Sequence, residues 1–186
     1  MTKSVHTTVG VGTFLLLSVS CPDGFEVASI NMLPSIVMVT SALGSILPDF
    51  DMKPMHYSQG KKGVKKKIAQ VKTKAVNAAT GGHRGITHTL LFPALLYAVL
   101  YFISTSFTRM PAFTSLVGSL VFGVLAGWVL HIFADLFNGK GAPILWPFVR
   151  SKLHIMDCPS EGIGQWLWCI CYLAVVFLLT VGKEIL

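Results

Sequence analysis

The sequence predicts an all-α membrane protein with about four to five transmembrane helices, its metal-ligand residues gathered at one membrane face. Three observations carry that reading. Hydrophobic residues make up 53% of the chain and charged residues 12%, against about 25% charged in an ordinary soluble domain. The mean hydropathy is +0.66. The apolar residues also gather into five windows separated by polar turns. A soluble core-forming domain is excluded on composition. A length of 186 residues suits one domain, so 1–186 is read as a single membrane-embedded unit.

The first window, 7–21, "TTVGVGTFLLLSVSC", is short for a span of about 20 residues. It also has the outline of a signal peptide, with Lys3, an apolar run and small residues ending at Cys21. Ser18, however, stands where a lipoprotein signal takes an aliphatic residue. The second window is 30–47. The third, 88–107, contains Pro93, which is expected to kink it near its start, with Thr87 as its N-cap. The fourth, 112–137, is the longest, and the fifth is 165–182.

Seven lysines lie within 61–74, "KKGVKKKIAQVKTK", and account for the net charge of +7. Basic runs attract phosphates. No aromatic interleaving or recognition motif accompanies this one, so no specific nucleic-acid partner is expected. The loop at about 52–80 is instead read as cytoplasmic, resting on anionic lipid headgroups. Counting outward places the N-terminus and segment 138–164 on the same cytoplasmic side. Of the four cysteines, none forms a CxxC pair, so a thiolate zinc site is not indicated. Cys169 and Cys171 read as packing residues within a span. Trp128, Trp146, Trp166 and Trp168 are assigned to the aromatic belt.

The ionisable residues then fall at one membrane face. His6 precedes the first window. Asp49 and Asp51, in "GSILPDFD", follow the second. His83 and His88, in "GGHRGITHTLL", open the third. His131 and Asp135, in "WVLHIFADLF", close the fourth. His131 and Asp135 are four apart and share one helical face. Imidazole and carboxylate donors together suit zinc, manganese or non-haem iron, as one ion or two. Arg84 is placed to clamp a phosphate, and Asp51 or His83 to accept a proton from water. Charged groups inside an apolar span are costly and functional by default. The stretch 138–148, "NGKGAPILWPF", is non-helical and is expected to dip into the interface beside the site.

At these residues the chain resembles the YdjM-type family of predicted inner-membrane metal-dependent hydrolases of bacteria. The resemblance rests on His6, "LPDFD" (47–51), "GHRGITHT" (82–89) and "GWVLHIFADLFNGKGAPILWP" (127–147). It implies a multi-pass protein of the bacterial inner membrane and a metal-dependent hydrolase. The HxxxD element is also similar to those of zinc-dependent phospholipase C enzymes. The expected activity is hydrolysis, by metal-activated water at the cytoplasmic headgroup level, of an amphiphilic substrate: a lipid phosphate or phospholipid ester. The alternative is a non-enzymatic membrane protein with a structural or sensory metal. A cation transporter lacks support, since few polar residues fall at midplane and no inverted repeat is visible.

Overall fold

The structure is a computed structural model and describes residues 2–27, 29–51, 71, 86–106, 110–139, 141–146, 148–149, 151–158 and 162–181. Among these the chain is mostly helical. Helix α1 (Lys3–Ser20) leads to a hairpin of β1 (Phe25–Val27) and β2 (Ile30–Met32), then to α2 (Pro34–Gly44). Two 3-10 turns follow, Leu47–Asp51 and Ile86–His88. The chain continues with α3 (Leu91–Ser106), α4 (Pro111–Leu136) and α5 (Ile163–Thr180). Apart from Val71, the lysine-rich loop of 52–80 lies outside the described residues.

The hairpin corrects the second window. Ile30–Met32 pairs antiparallel with Phe25–Val27, so α2 begins only at Pro34, whose fixed φ suits a first turn. Its 11 residues rise about 16 Å, roughly half the ~30 Å bilayer core. The window 30–47 is therefore not one continuous helix. The third window also starts later than expected. Pro93 falls in the first turn of α3, where an N–H has no intrahelical acceptor to lose, so it initiates rather than kinks. Helices α4 and α5, of 26 and 18 residues, are long and apolar enough to cross a membrane. Helix α1 matches α5 in length, but Lys3, His6 and its hydroxyl residues dilute its apolarity.

One ridge organises the packing. Ser119, Gly123, Gly127, His131 and Asp135 follow one another at four-residue intervals along α4, and all are buried. Rows of this spacing are the ridges by which helices interlock. The small half of the ridge receives α2. A Cβ on Gly123 would collide with Thr40 Oγ1, one on Gly127 with the Ser41 carbonyl, and one on Gly44 with the Val124 carbonyl. Small residues let backbones approach closely where lipid supplies no hydrophobic driving force. Leu33 N donates to Ser119 Oγ at 2.8 Å, fixing the hairpin end of the ridge.

Helix α1 packs on α2 through Gly10, whose carbonyl accepts from Ser41 Oγ at 3.3 Å. Helix α5 packs on α1 through Val5, Val9 and Cys169. Thr2 N and Oγ1 both donate to the buried Gln165 Oε1, so the first residues of α1 and α5 meet at one end. Cys169 is a packing residue as expected, whereas Cys171 is exposed.

Candidate metal centre

The ionisable half of the α4 ridge meets that same end. His131 and Asp135 occupy the last turns of α4, and the packing of α2 onto the glycines delivers Ser45 and the following 3-10 turn alongside them. His131 Nδ1 donates to the Ser45 carbonyl at 2.6 Å. A carbonyl only accepts, so the proton of the neutral ring sits on Nδ1 and the Nε2 lone pair is bare. That is the arrangement that orients a metal-binding histidine. Nε2 is buried and makes no hydrogen bond among the described residues.

Four further donors surround it. His131 Nε2 lies 3.8 Å from Asp49 Oδ1 and 3.9 Å from Asp135 Oδ2. Asp135 Oδ1 lies 3.6 Å from His6 Nε2, and its Oδ2 lies 3.6 Å from His88 Nε2. The His6 ring stacks on His131 at 3.8 Å, and the His88 ring stands edge-on to it at 5.2 Å. Two triads, His6–His131–Asp135 and Asp49–His88–His131, each hold their donor atoms within 4.8 Å. Asp49 is the most exposed of the five, at 9%.

These separations exceed the 2.7–3.2 Å of a hydrogen bond. Donors bound tetrahedrally to one ion through bonds of about 2.0–2.2 Å stand roughly 3.3–3.6 Å apart. The observed 3.6–3.9 Å is close to that. Three imidazole nitrogens and two carboxylates form a mixed nitrogen–oxygen set of the kind that suits zinc, manganese or iron. The residues therefore fit a divalent metal.

Of the sequence candidates, the fold brings together His6, Asp49, His88, His131 and Asp135. Asp51 closes the first 3-10 turn; its side chain lies outside the described set. His83 and Arg84 also lie outside the described residues. Thr87 does not cap α3. It sits in the 3-10 turn and shares a hydrogen bond with His88 Nδ1 at 3.0 Å. Trp128 is not a belt residue. It is 6% exposed, and its indole N–H donates to the Thr87 carbonyl at 2.7 Å. Trp128 thereby ties the His88 turn to the helix carrying His131. Its sequence signal is its place three residues before His131, on the same helix face. Ser45 acts through its backbone and has no such signal.

The segment 138–158 closes this end. Ile155 N and Cys158 N donate to the Leu136 and Phe137 carbonyls at 2.7 and 3.0 Å, satisfying two of the acceptors that a helix end leaves open. Ala142 packs with Trp128 and Ile132, flanked by Leu47, Leu136 and Ile144.

The fold and the site define a helical membrane protein with a buried histidine–carboxylate centre where helix ends converge. The chain belongs to the YdjM inner membrane protein family, whose sequence profile matches residues 1–184. It is 30% identical over 127 residues to Inner membrane protein YdjM of Escherichia coli (strain K12), and equally to that of Shigella flexneri. Each match covers 68% of this chain and 57% of the relative's own length. No solved structure matches the chain.

Proposed function

We propose that this chain is a multi-pass inner-membrane metal-dependent hydrolase, a single membrane-embedded unit of four to five spans. Its substrate is read as a lipid phosphate or phospholipid ester, met at the cytoplasmic headgroup level. The observation that carries this is the burial of two histidines and two aspartates around His131 Nε2. Gly44, Gly123 and Gly127 seat α2 on α4 along the small half of the ridge. The five buried ionisable groups lie beyond that interlock, and such groups in a membrane protein are functional by default. Structural zinc sites are commonly closed by four cysteine or histidine ligands. A mixed set that combines histidine with carboxylate is more typical of hydrolytic centres.

His6, His88, His131, Asp135 and Asp49 would hold the metal, read as zinc with manganese or iron as the other candidates and one or two ions bound. When bound, a divalent ion supplies a Lewis acid and makes water a nucleophile at neutral pH. Ser45 fixes the His131 tautomer, and Trp128 holds the His88 turn. Asp51 or His83 accepts the proton from the attacking water. Arg84, four residues before His88, holds the substrate phosphate. The lysine-rich loop keeps anionic headgroups nearby.

A second reading, a structural or sensory metal site, is favoured by one observation: all five donors are at most 9% exposed. Elemental mass spectrometry on purified protein separates the two readings when followed by a panel of lipid phosphates and phospholipids. Bound metal with cleavage of a panel member is the expected result. Bound metal without cleavage sinks the hydrolase and leaves the sensory reading. No metal, even after reconstitution with zinc, manganese or iron, sinks both.

A further inference from the structure

The segment joining α4 to α5 presents an apolar surface that the described residues leave uncovered. Phe148 is 88% exposed, and Leu145, Leu153, Ile155 and Met156 are exposed in the same segment, interspersed with the exposed polar residues Ser151, Lys152, His154 and Asp157. Part of its backbone is nonetheless hydrogen-bonded within the protein. Ala142 N and Leu153 N exchange bonds with each other's carbonyls at 2.9 and 3.0 Å. Trp146 N donates to Pro143 O, Phe148 N to Leu145 O, Ile155 N to Leu136 O and Cys158 N to Phe137 O. A loop in water has solvent to bond with and gains nothing from bare apolar side chains. Irregular backbone entering lipid must satisfy its polar groups internally.

The segment also runs directly between α4 and α5, the two helices among the described residues that are long and apolar enough to cross a membrane. Its inner side is fastened to the metal centre. Ala142 packs on Trp128 and Ile132, and the Ile144 carbonyl accepts from Leu90 N at 3.2 Å, just beyond His88. Lys140, Arg150 and Lys152 lie in the same stretch of sequence, a charge that suits anionic headgroups.

We propose that residues 142–158 form an interfacial anchor. Its apolar side chains enter the headgroup–acyl boundary of the leaflet nearest the metal centre and hold that centre at headgroup depth. The anchor rests on α4 and α5 spanning the bilayer, not on hydrolysis.

The test uses the full chain in phosphatidylcholine–phosphatidylglycerol vesicles. Phe148→Cys and Ile155→Cys are made with Cys21, Cys158 and Cys171 replaced by alanine, and labelled with the environment-sensitive fluorophore NBD. The native Cys171, exposed on α5, is labelled separately as a control for spanning. Quenching is compared between lipids carrying a nitroxide near the headgroup, lipids carrying it at mid-chain, and aqueous iodide. At positions 148 and 155, quenching several-fold stronger by the shallow nitroxide than by iodide is expected, with Cys171 quenched by the deep one. Iodide quenching at 148 and 155 with Cys171 still in lipid overturns the anchor and leaves the spans standing. Iodide quenching at all three positions removes the spans, and the anchor with them. Protection from every quencher at 148 and 155 means a protein covers the patch, a second copy or a soluble partner, and also overturns the proposal.

Discussion

Replacing Gly127 with alanine tests the link between helix packing and the candidate metal centre. A Cβ there would stand 2.8 Å from the Ser41 carbonyl carbon and 2.9 Å from Ser41 Cα, whereas ordinary contact begins at 3.4 Å. The Ser41 carbonyl oxygen lies closer still. The neighbour is backbone, so α2 and α4 must separate by more than the ~0.6 Å that the two carbon contacts alone require, an overpacking that costs at least about 1–3 kcal/mol. Alanine's helix propensity offsets about 1 kcal/mol of that. Gly127 lies one turn before His131, and Ser41 one turn before Ser45. The same displacement carries the 2.6 Å His131–Ser45 bond past the ~3.2 Å limit for such bonds, and it draws Asp49 away from His131. Loss of an orienting partner typically weakens metal affinity about 10–100-fold. Zinc affinity, measured by competition with a chromophoric chelator, should fall by that factor, and the thermal midpoint of the metal-free protein should drop. Gly12→Ala is the matched control, because its Cβ meets only the ends of the Leu173 side chain; affinity there should hold. Wild-type affinity and stability in Gly127→Ala would refute the claim that glycine contacts set the ligand geometry.

Three further outcomes follow from the same site. His131→Ala removes the donor common to both triads, and Asp135→Ala removes the carboxylate of the His6–His131–Asp135 triad; each should abolish stoichiometric metal while the protein stays folded by circular dichroism, and metal retained in either would mean the ion binds elsewhere. Trp128→Phe keeps most of the ring but leaves the Thr87 carbonyl without its 2.7 Å donor, a loss of about 1–3 kcal/mol. Weaker zinc binding by tenfold or more is expected in the chelator assay, and an unchanged affinity would show that the His88 turn is held by other contacts. Chelating the metal should lower the thermal midpoint of the detergent-solubilised protein, and excess zinc should restore it. At a hundredfold excess over Kd the restored stability is about 2.7 kcal/mol; a midpoint indifferent to zinc would contradict binding at this centre.

Much of the site was legible from residue type and placement. His6, Asp49, His88, His131 and Asp135 each lie at or near the end of an apolar window, where an ionisable group is costly unless used. The four-residue step from His131 to Asp135 is a property of any helix. The four-residue spacing Ser119, Gly123, Gly127, His131 stands in the sequence, but only the structure shows it to be the ridge on which α2 packs. Ile30–Met32 was misleading: three residues of an apolar window joined a hairpin, because pairing with Phe25–Val27 outweighed continuation of the helix. Trp128 looked like an interfacial aromatic, because composition cannot tell a lipid-facing indole from one whose N–H is buried against a carbonyl.

By itself, the sequence determined the helical membrane character, the donor types and the end of the molecule where they collect. Those follow from apolar periodicity and from the cost of burying charge. Only the tertiary structure decided that His6 stacks on His131, that Asp135 faces both His6 and His88, and that the Ser45 carbonyl bares the His131 Nε2 lone pair. Such contacts depend on the depth and rotation at which helices interlock, and sub-ångström packing sets these. No spacing along a single chain encodes that packing.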